Sequence, residues 1–516
     1  MSSAVDCQSA SGISLASLLQ GYSSTPNIPD VTIHGLQQSS NKVEAGDLFV
    51  ALSGHTTHGL RYLPQAVEKG CAAVVYDPQD LPENFQIPAI DIPVCAINGL
   101  NHHLGYMADR FYGSPSRFMN VLAITGTNGK SSCSHFLADA LSSDGKAGFI
   151  GTLGWGSRNE VRATTHTTPD AIETHRILAE FRQAGYRFVA MEASSHGLDQ
   201  ERLNGIRFRG ALFTNFSRDH LDYHQTMEAY LEAKLKLLEW PDLEFVVYNA
   251  DDPIAAPILA RQREGVRYLG FASRDSKAAN ETARVCYGSI HHHALGTRFD
   301  VYDQTQSANI DVPVFGDFNV ENLTASLAVL LEMGYPFEVA TAFLCNARPV
   351  PGRMETVTHG GRSAVIDYAH TPDALRSALT SLRKHCAGNL WVVFGCGGDR
   401  DRGKRATMGA VADGLADHIV VTDDNPRNED PEIIVSDILK GISHRNAIVL
   451  RDRRCAIHHA LNSASKGDLV LVAGKGHETT QEIQGVKYPF NDRDVVKDIL
   501  HEIDRLDARM PSHAKV

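Results

Sequence analysis

The 516-residue sequence is short of three things. Its nine cysteines are scattered singly, an odd number with no Cys-x-x-Cys pair. That argues against a disulfide framework or a structural zinc site and for reduced thiols in a cytoplasmic protein. Basic charge is also short: 49 Lys and Arg stand against 61 Asp and Glu, a formal net charge of −12. Non-specific nucleic-acid binding needs a basic face that displaces counterions, so no nucleic-acid partner is expected. A local basic pocket for a small anion remains compatible with that balance. Finally, no apolar run approaches the ~18–20 residues of a membrane-spanning helix, so no membrane span is expected. The opening stretch MSSAVDCQSASGISLASLLQ has no basic leader, and serines interrupt its apolar residues, unlike a signal peptide.

What remains is a composition that builds cores, 43% apolar and 21% charged. The length predicts several domains. Residues 1–115 hold short strand-like runs (GDLFVAL, CAAVVYD) and close on the turn-rich YGSPSR. A second block, 116–346, opens with FMNVLAITG and continues through YRFVAMEASS, GALFTNFS and FVVYNADD. The third, 347–516, repeats the scheme with SAVIDYAHTPDAL, LWVVFGCGGDRD, HIVVTDDNPR and DLVLVAGKGHE. Apolar runs that end in polar residues, alternating with helical stretches, predict α/β domains. Their sheets should be mostly parallel, with ligands at the carboxyl ends of the strands.

In VLAITGTNGKSS a strand, a glycine loop, a lysine and a hydroxyl precede a helix, the order a nucleotide-phosphate cradle needs. Gly126, Thr127, Asn128 and Gly129 form the loop. Lys130 can reach phosphate oxygens, and Ser131, followed by Ser132, can ligate Mg²⁺ at the helix N-terminus. Ile124 stands where the usual phosphate-loop spacing begins with glycine. The bland alternative is a Gly-rich turn with a solvated lysine. No Asn-Lys-x-Asp guanine reader follows the loop, which argues against a GTPase.

Two further strand ends carry carboxylate and imidazole: Glu192 to His196, and Asp219, His220, Asp222 and His224. Together with the loop serine they can hold a hard cation against phosphates. HQTMEAYLEAKLKLLEW reads as an amphipathic helix with an apolar stripe of Met227, Tyr230, Leu231 and Leu238, with Leu235 beside it. Lys234 falls on that stripe and Lys236 does not. An inward lysine must be neutralised, paired or chemically used, or else snorkel at the edge of the stripe.

GTNGKSS, MEASSHGLDQER, NFSRDHLDYH, EAKLKLL, FGDFNVENLTA, PGRME, DYAHTPDAL, FGCGGDRDRGKR, DDNPR and GKGHE occur in the order found in the Mur ligase family, and the chain resembles that family over nearly its whole length. The resemblance implies three domains: one for a uridine nucleotide, a central P-loop ATPase and a C-terminal Rossmann-like domain. It implies that ATP phosphorylates the D-glutamate side-chain carboxyl of UDP-MurNAc-L-Ala-D-Glu, and that an amino acid then attacks the acyl phosphate, in peptidoglycan precursor synthesis. Lys130, Glu192, His220 and Lys234 match catalytic positions. Ser131, Glu192, His220 and a carbamylated Lys234 match ligands of what are expected to be two Mg²⁺ ions. Asn319, Asn322, Arg353 and Asp367 match positions around ATP. Ser40, His55, Thr56, Thr57, His166, Thr167, Thr168, Ser194, Gln200 and Arg202 match uridine-substrate contacts. The match is imperfect at Ser39, Ser40 and Asn41, where relatives often read Asp-Ser-Arg, and at His166, where Asn is common.

For the incoming amino acid the resemblance implicates Arg400, Asp424, Asn425, Pro426, Arg427, Gly474 and Glu478. Asp-Asn-Pro-Arg is the form that family members associate with meso-diaminopimelate. That amino acid differs from lysine by a distal carboxylate, which a forked guanidinium binds bidentately. Arg427 is expected to read that carboxylate, Asn425 to hydrogen-bond the same head, and Glu478 to receive the ammonium. A monomer is expected. An L-lysine-adding ligase, a folylpolyglutamate synthetase and a P-loop ATPase that switches a partner surface stay open as alternatives.

Overall fold

The structure, a computed structural model, describes residues 12–509 apart from 24, 55–56, 82–84, 294 and 445. The chain divides into two compact units, Met1–Phe271 and Ala272–Val516. Among the described residues no helix is long and apolar enough to cross a membrane.

The first unit begins with a four-stranded parallel sheet ordered Gly35–Gln37, Asp47–Ala51, Ala73–Tyr76, Val94–Ala96. Its central strands are apolar on both faces, as a covered parallel sheet requires. Leu48, Val50, Ala73 and Val75 pack on Leu104 and Met107, while Phe49, Ala51 and Val74 pack on Leu60 and Leu63. A second sheet follows, with six parallel strands in the order Ala147–Gly151, Phe188–Glu192, Asn120–Thr125, Phe208–Phe213, Phe245–Asn249, Arg267–Ser273. Gly154–Ser157 and Glu160–Arg162 extend one edge antiparallel. Asn120–Thr125 lies mid-sheet, so the glycine loop leaves between the ends of two parallel neighbours. The loops that follow Glu192 and Phe213 start beside it.

The second unit opens with an antiparallel meander, Ala283–His293, Gly296–Tyr302 and Ser307–Val312. The sequence reading of block 116–346 as a mostly parallel sheet named no antiparallel strands there. The period-2 signal is present, since Val285 and Tyr287, Phe299 and Val301, and Ile310 and Val312 are buried in alternation. A histidine run and polar outward residues dilute it. The buried helix Asp317–Glu332 follows. The last sheet is ordered Glu355–His359, Arg362–Asp367, Leu469–Ala473, Leu390–Phe394, His418–Val421, Ala447–Val449 and is parallel except for its first strand. This is the Rossmann-like arrangement expected. Its four apolar central strands end at the four polar loops singled out above.

Helix Leu100–Phe111 docks the N-terminal sheet onto the 200–206 turn. Asn101 Nδ2 donates to Gln200 O at 3.2 Å, and Asn204 Nδ2 to His102 O at 3.0 Å. Gly105 presses on the Asn204 carbonyl, which a Cβ would overlap. Gly105→Ala should therefore cost about 1–3 kcal/mol, the range for overpacking a close contact. Urea unfolding measures it, and an unchanged midpoint would contradict the tight docking.

Candidate active site and its relatives

The loop after Thr125 is held by its neighbour strand. Thr127 N donates to Asn215 O at 2.9 Å, Asn128 N to Asn215 Oδ1 at 2.8 Å, and Thr214 Oγ1 to Asn128 O at 2.6 Å. Gly126 (φ +144°) has no room for a Cβ against Thr214 Oγ1. Gly129 (φ +85°) is the residue before helix Lys130–Leu141, whose first turn contains Ser131 and Ser132. The strand, loop and helix N-terminus expected from the sequence are present, an arrangement whose helix end favours an anion.

Two lysines reach the same carbonyl. Lys130 Nζ donates to Gly126 O and Thr127 O, each at 2.9 Å. Lys234 Nζ donates to Gly126 O at 2.8 Å and lies 4.6 Å from the Tyr230 ring centroid. Lys234 is 1% exposed, so the inward lysine read from the helical stripe is confirmed. The α-helix ends at Leu235 and tightens to a 3-10 turn over Lys236–Glu239. Burial, with the Lys130 charge behind it, pushes the Lys234 amine well below its ordinary value of 10.5. A neutral amine is what carbamate formation requires.

The charges of both lysines act on His220, which lies 3.5 Å from the Asp219 carboxylate. It adopts φ +52°, a left-handed conformation that costs a non-glycine residue about 1–3 kcal/mol and is concentrated at functional positions. Its ring meets His196 edge-on at 4.9 Å. Burial pushes His220, His196 and His224 below their ordinary values, which keeps the imidazoles neutral, as ligands or acceptors must be. Glu192, 1% exposed, is held by Thr152: the Thr152 amide donates to Oε1 at 3.0 Å and its hydroxyl to Oε2 at 3.1 Å. Among the described residues no three His, Cys, Asp or Glu side chains form a metal set by themselves. Ser131, Glu192 and His220 carry a hydroxyl, a carboxylate and an imidazole, donor types that suit a hard cation.

Five of the ten uridine-side candidates join one network. Thr168 Oγ1 donates to Glu192 O at 2.8 Å and contacts Ser194 Oγ at 2.9 Å. Thr167 meets Thr152 at 2.9 Å. Arg202 Nη1 donates to Thr168 O at 2.9 Å and Nη2 to Gln200 Oε1. Gln200 Nε2 in turn donates to Tyr223 Oη at 3.1 Å. A cavity of about 450 Å³ is lined by Gln200, Tyr223, Asn101, Asp77 and the 52–54 loop. Ser40 is engaged elsewhere, donating to Gln65 Oε1 at 2.7 Å. His166 is exposed and meets Thr165 at 3.0 Å. The Thr57 hydroxyl is buried without a partner. His55 and Thr56 lie outside the described residues.

The remaining candidates belong to the second unit. Asn319 and Asn322 are buried on one helix, 3.4 Å apart. Arg353 stacks 4.9 Å from Tyr368, and Asp367 accepts from Met354 N at 2.8 Å. Burial raises Asp367 while Arg353 pulls it back. The amino-acid candidates converge: Tyr368 faces Glu478, Arg353, Asp424 and Arg400, Gly474 abuts the Asp424 carboxylate, and Asn425 Nδ2 donates to Glu478 Oε2 at 2.8 Å. Arg427, in left-handed conformation at φ +52°, donates to Gly398 O at 2.7 Å and lies 3.5 Å from Glu482. Pro426 sits between Asn425 and Arg427. Sequence reading assigned no role to Thr152, Tyr223, Tyr368, Lys475 or Glu482. Only Lys475, two residues after a buried strand, carried a visible signal.

Lys234 also generates a stability test. Its folded-state pKa is depressed, so the unfolded chain takes up a proton that the folded chain does not, and stability falls as pH drops below 10.5. In bicarbonate-free buffer Lys234→Met should raise Tm at pH 7, with the gain shrinking towards pH 9.5. A pH-independent difference would contradict a neutral buried amine.

Family models match in chain order: "Mur ligase family, catalytic domain" over residues 32–112, "Mur ligase middle domain" over 124–330 and "Mur ligase, glutamate ligase domain" over 352–476. A UDP-N-acetylmuramoyl-L-alanyl-D-glutamate–2,6-diaminopimelate ligase of Coxiella burnetii is 44% identical over 91% of this chain and 96% of its own. The protein of the same name from Alkalilimnicola ehrlichii is 43% identical over 95% and 99%. A solved structure of a ligase so named covers 95% of this chain and 99% of its own, with 33% identity and a TM-score of 0.69. The chain belongs to the Mur ligase family, whose three domains it carries in order.

Proposed function

We propose that this chain is an ATP-dependent ligase joining meso-2,6-diaminopimelate to the D-glutamate side-chain carboxylate of UDP-MurNAc-L-Ala-D-Glu, a step of peptidoglycan precursor synthesis. The observation that carries the reading is the 44% identity to a ligase of that name across nearly its full length. Arg427 beside Asn425 in the 423–427 loop supports the choice of amino acid. We place the three domains at 1–115, 116–346 and 347–516, and the enzyme in the cytoplasm as a monomer.

A carboxylate oxygen attacks the γ-phosphorus and ADP leaves, giving an acyl phosphate. The amine then attacks the carbonyl carbon and loses a proton, and phosphate departs carrying the former carboxylate oxygen. The helix N-terminus at 129–132 and Lys130 bind the β- and γ-phosphates, where positive charge offsets repulsion between two anions. Asn319 and Asn322 serve the adenine, and Arg353 and Asp367 the phosphates and ribose. His55, Thr56, Thr57 and the network from Thr167 to Arg202 hold the uridine substrate, with Ser40 and His166 at its margins. Ser131, Glu192, His220 and carbamylated Lys234 would hold Mg²⁺, which when bound supplies charge neutralisation at the phosphates. Carbamylation converts the one buried lysine on the helix stripe into an anionic ligand.

The test is ATP-dependent phosphate release with UDP-MurNAc-L-Ala-D-Glu and Mg²⁺, supplied with meso-diaminopimelate, L-lysine or no amino acid. Release with diaminopimelate alone is expected, because an Arg427 left without its carboxylate penalises lysine. Equal release with lysine would overturn the amino-acid assignment, and equal release without acceptor would overturn the ligase. Lys234→Ala should lose activity, and added bicarbonate should not restore it. Full activity would remove the carbamate.

A further inference from the structure

Lys475 is fully buried. Its Nζ donates to Asn425 Oδ1 at 3.0 Å and to Glu478 Oε2 at 2.8 Å. Asn425 Oδ1 also accepts from Glu482 N at 2.9 Å. Two donors therefore occupy both lone pairs of that oxygen, which fixes which end of the amide is which. One Nδ2 hydrogen goes to Glu478 Oε2, and the other has no partner among the described residues.

The consequence is a polarity. Asn425 can offer a ligand only an N–H, so it is a donor to a carboxylate and never an acceptor for an ammonium. Glu478 Oε1 and the Asp424 carboxylate, which make no hydrogen bond among the described residues, are the acceptors that remain. Behind them Arg453, also buried, is bound bidentately to Asp492 (2.7 Å from each oxygen) and donates to Ala473 O at 3.0 Å. Two buried cations, Lys475 and Arg453, thus face three carboxylates: Asp424, Glu478 and Asp492.

We infer that Lys475 is a positioning residue that orients Asn425 and Glu478, so that an amino-acid head enters with its carboxylate on the Asn425 N–H side and its ammonium on the Glu478 and Asp424 side. The inference deepens, and rests on, the assignment of this loop as the amino-acid pocket. Lys475 itself touches no substrate. Removing it frees the Asn425 amide to turn and leaves Glu478 without its cation.

The experiment is steady-state kinetics of Lys475→Met on the full chain, with wild type alongside. KM for meso-diaminopimelate should rise about 10- to 100-fold, the factor for losing a hydrogen bond to a charged group. KM for ATP and for UDP-MurNAc-L-Ala-D-Glu should stay within about twofold. Preference for meso-diaminopimelate over L-lysine should fall in the variant, which a general loosening of the fold would not produce. Equal changes in all three KM values, a loss confined to kcat, or no change would overturn the positioning role. Should Lys475→Met not fold, Lys475→Gln keeps one N–H for Asn425 without the charge and should give an intermediate KM; an unaltered KM there overturns the inference. If wild type does not ligate diaminopimelate at all, the functional proposal fails first, and the control reveals it.

Discussion

The pairing of Asn120–Thr125 with parallel neighbours on both sides sets where the reactive loops of the first unit begin. In a parallel sheet every strand leaves from the same edge, so the glycine loop, the Glu192 strand end and the 214–220 segment start together there. Hydrogen bonds from Thr214 and Asn215 fix the loop to that edge, and the Gly126 carbonyl then becomes a fixed point on which both lysines converge. The conformation of the cradle is thus decided by sheet register before any ligand is considered.

Buried cations separate structure from chemistry in this molecule. Arg453 lies against Asp492 and Arg405 against Glu429 and Asp437. These are compensated pairs, and Glu429 is held down to about 2 chiefly by the Arg405 hydrogen bonds. Lys475 has Glu478 but shares it with the pocket. Among the described residues Lys234 forms no ion pair; a carbonyl and an aromatic face meet its amine, and the Asp219 charge acts on it only from further off. A buried amine without a paired counter-ion costs stability, which sets Lys234 apart from these compensated cations.

Much of this was legible in the sequence because it is local. Apolar runs gave the strands, glycines with a lysine and serine gave the cradle, and helical periodicity put Lys234 inside and Lys236 out. What stayed hidden depends on distant partners. Nothing near Glu192 shows that Thr152 holds it, and nothing near Asn425 shows that Lys475 and Glu482 saturate its oxygen from 50 or more residues away. The left-handed backbone of Arg427 is fixed by bonds to the 480–484 hairpin strand, from Arg427 N to Glu482 O and from Gln484 N to Arg427 O. The meander at 283–312 was obscured by its polar outward face.

The central claim is that ATP is spent on a carboxylate and not on water. It is tested most directly by labelling the D-glutamate side-chain carboxylate of UDP-MurNAc-L-Ala-D-Glu with ¹⁸O and following the label through one turnover with meso-diaminopimelate. Ligation through an acyl phosphate predicts one ¹⁸O in each inorganic phosphate released. Phosphate free of label would mean that water attacked the nucleotide, and would contradict the account.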